Sequence, residues 1–433
     1  MFATLIYGGV ATLILGVLSL VAAFILVLWI MDAWSLGELR FSTNPLQLPI
    51  IGLILIGIVQ LLPFGDPGLA VDALSIAPSR SISVDPFTTR LFVIRLLAYL
   101  IFFAASSTFI DSQGRAKRAA IAIVTFGSLL AFVGILQRMT SPDAIYWFRP
   151  TPQAIPFGPF VNQHHFAAFM EMTSGLTLGL LFGGGLKRDR RPFLMIAAVL
   201  MGAALVFTGS RGGVISYAGV IAFVVIAAYL SRRHSETNGQ PETERTSRFA
   251  MPAGTVALGL IVGVMVLYLG GGESLLRGVG LSLGDTDIST GRIQFWTIAL
   301  KIFAAHPILG SGLESFGVAY TLYDPQSGFF RVEQAHNDYL QSLSDGGILG
   351  FACVAAFVVL IFRNGIKTIR ASSDGLGKSI ALGSLAGCFG VAIHSFVDFP
   401  LRTPSNALFL LLLAALATTT YRTEAKTLTR SRN

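Results

Sequence analysis

A chain of 433 residues that is 53% hydrophobic and only 12% charged, with a mean hydropathy of +0.69, is not a soluble domain, since those carry about 25% charged residues. The net charge of +8 does not indicate a nucleic-acid binder, because the basic residues gather in short loops between apolar runs, the pattern of orientation in a bilayer. Cys353 and Cys388 both lie inside apolar runs, so they read as small buried hydrophobes and no disulfide is drawn.

Crossing a bilayer takes about 20 apolar residues. By that yardstick about eleven segments qualify, at residues 5–30, 47–64, 91–110, 119–137, 161–184, 193–209, 212–230, 252–270, 345–363, 377–397 and 405–421. Twelve result if the first run or the pair flanking Arg211 is divided differently. The first run, Leu5 to Ile30, has no basic stretch before it and is too long for a signal-peptide core, so no cleavable leader is expected. Lys and Arg concentrate in alternate loops, at Arg115 to Arg118, Lys187 to Arg191, Arg232 to Arg248, Arg363 to Lys378 and in the tail from Arg422. The positive-inside rule makes those loops cytoplasmic. The C-terminus is then inside and, with eleven spans, the N-terminus outside. The opposite face receives loops 65–90, 138–160 and 271–344, the corner Gly209–Gly213 and the turn Asp398–Pro404.

The chain divides accordingly. Residues 1–155 form N-terminal spans, 156–270 central spans with the Arg211 corner, 271–344 a large outer loop, and 345–433 the C-terminal spans and tail. That loop is too long to be a connector. Within it Ser289-Thr290 reads as a helix start. Gly291 to Ala305 reads as a helix with Ile293, Trp296, Leu300 and Phe303 on one face. His306-Pro307, Gly310 and Gly312 stop it. A helical cap on the membrane surface is expected.

Candidate chemistry collects on the outer face. His336-Asn337-Asp338 leads directly into an apolar span, and an ionisable group held at such a rim is a functional candidate; the other reading is a helix cap. Arg211, within Ser210-Arg211-Gly212-Gly213, offers a five-donor fork suited to phosphate, with glycines that let a ligand approach the backbone. The alternative is an arginine snorkelling from a helix end. Arg292 sits in the first turn of the predicted cap helix, where the helix dipole disfavours a cation unless an anion binds there too. A solvated surface charge is the other possibility. Asn162, His164 and His165 enter a span that contains Glu171. Adjacent histidines on a helix face different ways, and no zinc-type spacing occurs, so a metal centre is not expected. Asn162 and one histidine are expected to line a polar cavity or cap the helix. His394 and Asp398 are four residues apart, on one helix face, either as an ion pair or as an internal polar clasp. Arg402 follows on the same side.

With these residues laid out, the chain resembles the O-antigen ligase and Wzy-type polymerase superfamily of bacterial envelope glycosyltransferases. His336-Asn337, nine residues, then Gly347-Ile348-Leu349-Gly350 is similar to the ligase family's His-[Asn/Ser/Gln]-x9-Gly-x-x-Gly signature. Ser210-Arg211-Gly212, Thr290-Gly291-Arg292 to Trp296, and His306-Pro307-x-x-Gly310-x-Gly312 match further family motifs in order. The resemblance implies an all-α polytopic membrane protein of about 11–12 transmembrane helices, GT-C-like, with a helical periplasmic cap. It implies a bacterial inner-membrane, multi-pass enzyme acting at the periplasmic face without metal or other cofactor. The donor would be an undecaprenyl-diphosphate-linked glycan and the acceptor a glycan or lipid A-core, with membrane lipids around and no nucleic acid. His336, Arg292 and Arg211 would be catalytic; Asn337, Asp338, Asn162, His164, His165 and Arg402 would contact substrate. Phe160 to Phe166 and His394 to Arg402 look closer to polymerase and exopolysaccharide members, which leaves ligase and polymerase both open.

A lipid diphosphate is already a good leaving group, so positioning and charge stabilisation suffice. Two guanidiniums can neutralise it at a low-dielectric rim, and an imidazole suits removal of the acceptor's hydroxyl proton at neutral pH. Single displacement inverts the anomeric centre. A competing class is a lipid-linked sugar transporter or flippase. Those often show two related halves, and no internal repeat is visible here.

Overall fold

The computed structural model describes residues 1–10, 12–65, 80–151, 154–185, 188–237, 259, 291–325, 331–372 and 375–421. Among them the chain forms thirteen α-helices: α1 Phe2–Leu5, α2 Thr12–Leu36, α3 Gln47–Gln60, α4 Pro86–Phe109, α5 Gln113–Thr140, α6 Gln163–Phe182, α7 Arg191–Phe207, α8 Arg211–Thr237, α9 Arg292–Ala305, α10 Phe316–Thr321, α11 Asp338–Ala371, α12 Gly375–His394 and α13 Pro404–Thr418. A two-residue hairpin, β1 Ala144–Ile145 against β2 Arg149–Pro150, is antiparallel. Five helices are long and apolar enough to cross a membrane: Leu13–Leu36, Pro86–Phe109, Gln113–Thr140, Asp338–Ala371 and Gly375–His394. This is an all-α polytopic membrane protein. Each predicted span has a helix except 252–270, which apart from residue 259 lies outside the described residues, as do Ser289 and Thr290.

The helix at the centre is α6. Its residues from His165 to Leu180 are all buried, Glu171 included. Close approach by α12 explains how so polar a helix is enclosed. A Cβ on Gly175 would stand 2.5 Å from the Gly387 nitrogen, and one on Gly179 only 2.1 Å from the Gly383 Cα. Two Gly-x3-Gly rows therefore meet backbone to backbone. In hydrocarbon nothing apolar drives helices together, so this dispersion contact between small residues does the holding.

The span expected from 345 begins earlier, at Asp338, and runs 34 residues across the anticipated 344/345 division. Gly347 interrupts it at φ 62° and ψ −163°, a conformation that side-chain-bearing residues avoid. The loop after α9 docks there. Ile348 N donates to Pro307 O at 2.8 Å and Ser311 N to Ser344 O at 2.9 Å, while a Cβ on Gly310 would lie 2.3 Å from the Asp345 carbonyl carbon. Glycines of two sequence motifs thus serve one purpose, letting two backbones touch. Gln60, at the end of α3, completes the joint through Asp345 O at 2.8 Å and Leu313 N at 2.8 Å.

Helix α9 forms where the spacing predicts it, with its packing face rotated. Ile298, Ala299 and Ile302 are buried against Phe316, Ala319, Tyr320 and Ala335, whereas Ile293 and Leu300 are exposed. The helix is apolar on two sides, and periodicity alone cannot tell which of them meets protein.

The starts of α4, α6, α8, α9, α11 and α13 and the ends of α3, α7 and α12 gather at one end of the bundle. The chain's first residues join them: a Cβ on Gly8 would touch Phe160 and Thr403.

Candidate active site

A buried carboxylate organises that end. Asp398, in the turn between α12 and α13, is 1% exposed. Oδ1 lies 3.3 Å from Nδ1 of His336. Oδ2 lies 3.6 Å from the guanidinium of Arg292 and 3.9 Å from Nδ1 of His164. Burial alone would raise the carboxyl's pKa; the His336 contact, then the nearby His164 imidazole, outweigh burial and hold it well below the usual range.

His336 is held in an uncommon backbone state, with φ 51°, a conformation that costs on the order of 1–3 kcal/mol and persists only where surroundings enforce it. Those surroundings are visible. Asn337, not His336, caps α11, its Oδ1 accepting from Tyr339 N and Leu340 N at 3.0 Å each, and its Nδ2 donates to Phe396 O. Asp338 N donates to Ser395 O at 2.9 Å. The His336 ring stacks on Phe295 of α9, 5.8 Å between centroids, and meets the edge of Phe399 at 4.6 Å. The cap helix, the start of α11 and the 395–403 turn together set this imidazole.

The two histidines of α6 part company, as neighbouring helix residues must. His164 Nδ1 pairs with Ser210 Oγ at 2.8 Å, next to Arg211. His165 Nδ1 pairs with Thr403 Oγ1 at 2.7 Å. Asn162 caps α6 by accepting from His164 N at 2.8 Å. The Ser210-Arg211-Gly212 corner leans on α12, where a Cβ on Gly212 would stand 3.1 Å from His394 Nε2 and 2.8 Å from Val397. Arg211 therefore starts α8 beside His164 and His394.

His394 does not pair with Asp398. Its Nδ1 meets Glu171 Oε1 at 2.8 Å, both side chains at most 1% exposed. The shared helix face of His394 and Asp398 gave no hint of this partner, 223 residues away in the chain. Arg402 is likewise committed to protein groups. It contacts Glu314, lies 3.2 Å from Asp345 and 3.8 Å from Asp338. Burial works against its charge, and the Glu314, Asp345 and Asp338 carboxylates more than compensate, raising its pKa. Asp338, 8% exposed, also accepts from Ser395 Oγ and Leu401 N.

A cavity of about 650 Å³ opens here, with His165, Phe295, His336, Phe399, Arg402 and Thr403 in its wall. The structure brings His336, Arg292 and His164 onto one carboxylate, sets Arg211 beside them, and sends Asn337 and Asp338 into the supporting framework. Sequence reasoning missed Asp398 as the shared partner and Glu171 as the partner of His394. Both lie in spans or turns where an acid already stands out as expensive, and that cost was the available signal.

At this end of a bundle of membrane-spanning helices, imidazole, guanidinium and carboxylate meet beside the cavity. Residues 196–355 match the family model described as O-antigen ligase. The matched stretch contains Arg211, Arg292 and His336 and leaves out His164 and Asp398. No curated protein matches the chain.

Proposed function

We propose that this protein is an inner-membrane glycosyltransferase that moves an undecaprenyl-diphosphate-linked glycan onto an acceptor sugar hydroxyl at the periplasmic face, as an O-antigen ligase does. The family match supports ligase- or polymerase-type action on lipid-linked glycans in general. The observation that carries the finer reading is the convergence of His336 and Arg292 on Asp398, 3.3 and 3.6 Å away.

In this reading Asp398 Oδ1, 3.3 Å from Nδ1 of His336, orients the ring electrostatically, and Nε2 is the ring nitrogen left to take the acceptor's hydroxyl proton. The acceptor oxygen bonds to the donor's anomeric carbon as that carbon's bond to the diphosphate oxygen breaks. The electron pair leaves with the lipid diphosphate and the anomeric centre inverts. Arg292 and Arg211 stabilise the departing charge, which grows in the transition state and so is worth most there. No step requires a metal. Asn162, His164 and His165 position the substrate from α6. Arg402, already engaged by carboxylates, contributes to the cavity wall.

A Wzy-type polymerase, extending the lipid-linked chain, is the second reading. It is favoured by the meeting of the two polymerase-like stretches at the site, where the His165 ring meets Phe399 edge to face at 4.8 Å between centroids and His164 Nδ1 lies 3.9 Å from Asp398 Oδ2. Deletion of the gene followed by envelope polysaccharide profiling separates the two. Loss of long glycan from lipid A-core alone indicates a ligase, and persistent single repeat units on the lipid carrier indicate a polymerase. A flippase would move the reconstituted donor without making a glycosidic bond.

A further inference from the structure

A second cavity shares two elements, α4 and α13, with the polar one. Val10, Arg95, Thr403 and Pro404 belong to the polar cavity's wall. Tyr99 of α4, one turn on from Arg95, and Ser405 of α13, next to Pro404, line a separate crevice of about 190 Å³, closed by α2 and by Thr4 of α1. The rest of its wall is apolar side chain, with Leu18, Val21 and Phe409 among it, apart from Met1, which also carries the chain's amino group. Helix α2 is the thinnest barrier to the surroundings, since only 17% of its spanning window is buried.

Three buried hydroxyls belong to the wall of this crevice. Thr4, Tyr99 and Ser405 are 1%, 6% and 2% exposed, and none of their hydroxyl oxygens has a hydrogen-bond partner among the described residues. Many hydroxyls elsewhere in the bundle donate to the carbonyl four residues back, as Ser19, Thr108, Ser128 and Thr418 do, although Ser107, Ser174, Ser384 and Tyr217 also lack a partner among the described residues. Thr4 and Ser405 stand in the first turn of their helices, where the helix offers no such carbonyl, and a tyrosine hydroxyl lies too far from its own backbone. Three unmet donors in hydrocarbon are costly. An isoprenoid chain has no acceptor to give them. An acyl chain carries an ester carbonyl at its head, next to the polar rim.

We propose that the crevice between α2, α4 and α13 is a binding site for an acyl-ester lipid, with the ester carbonyl received by Thr4, Tyr99 and Ser405 and the chain running along α2. A glycerophospholipid and an acylated glycolipid acceptor share this chemistry. The site stands independently of the transferase reading.

The test offers delipidated full-length protein equal amounts of dioleoyl phosphatidylglycerol and its dialkyl-ether analogue, which differs only in the two carbonyls, and counts bound lipid by native mass spectrometry. One or two hydrogen bonds correspond to an ester preference of about tenfold. Equal binding of ester and ether by the wild type overturns the proposal, with no variant needed. T4V/Y99F/S405A keeps side-chain shape and is expected to bind both equally; a preserved preference also overturns it. Leu408→Trp fills the crevice and should expel the lipid. Displacement of the ester lipid by undecaprenyl phosphate at equal concentration sinks the assignment. His336→Ala should retain the ester preference, which separates failure here from failure of the transferase reading. Lipid extracted from protein purified out of native membranes identifies the source: diacylglycerol-based lipid or acylated sugar.

Discussion

Replacing Asp398 with asparagine keeps the side chain's volume and removes the one charge on which Arg292, His336 and His164 converge. At 3.6 Å and an effective dielectric of about 20, a full ion pair is worth about 5 kcal/mol. Arg292 is 22% exposed, so water returns much of that, and a net stability loss of about 1–3 kcal/mol is expected. The effect on chemistry should be larger. An asparagine presents an amide donor as readily as an acceptor to Nδ1 of His336, which frees the ring to rotate or change tautomer. Loss of such an orienting carboxylate costs about 10²–10⁴-fold in rate. The measurement is glycan transfer from a lipid diphosphate by reconstituted protein, with thermal unfolding in detergent run in parallel. Asp398→Asn should melt a few degrees early yet lose at least about a hundredfold in rate. A variant with near-normal transfer would refute the orienting role, and one that fails to fold would mean the carboxylate is chiefly structural.

His336→Ala and Arg292→Ala should each remain folded in membranes and abolish transfer; normal turnover by either removes it from the mechanism. Arg402→Ala leaves Asp345 and Asp338 without their cation and Glu314 with only Arg95, 3.7 Å away, a loss of about 3–5 kcal/mol, partly recovered by adding Glu314→Gln; a variant that instead melts normally and only raises KM would make Arg402 a substrate ligand. Gly179→Leu drives a side chain into the Gly383 backbone, 2.1 Å from its first carbon, and should reduce folded yield by about 1–3 kcal/mol or more. Because the folded Asp398 carboxyl titrates below its unfolded value, near 3.9, its contribution is complete at neutral pH and lost as pH falls through the folded value. Wild type should therefore converge on the stability of Asp398→Asn only below about pH 4.

Much of this protein is readable in one dimension. Long apolar runs must become helices because hydrocarbon satisfies no backbone polar group, and α2, α4 and α5 lie where hydropathy puts them. His336, Arg292 and Arg211 were visible because charge at a membrane rim is costly wherever the chain runs. One short-range pairing was legible too, Asn162 as a cap, whereas the cap of α11 is Asn337 and not the neighbouring His336. The inward face of α9 was not legible, because a helix between lipid and protein is apolar on both sides. Nor were the partners. His394 points at Glu171 across the α6–α12 seam, and Asp398 gathers residues from α6, α9 and the start of α11. Those pairings depend on which helices touch and at what rotation. Gly175, Gly179, Gly383 and Gly387 set that through close packing, a property of two surfaces meeting and not of either strand of sequence by itself.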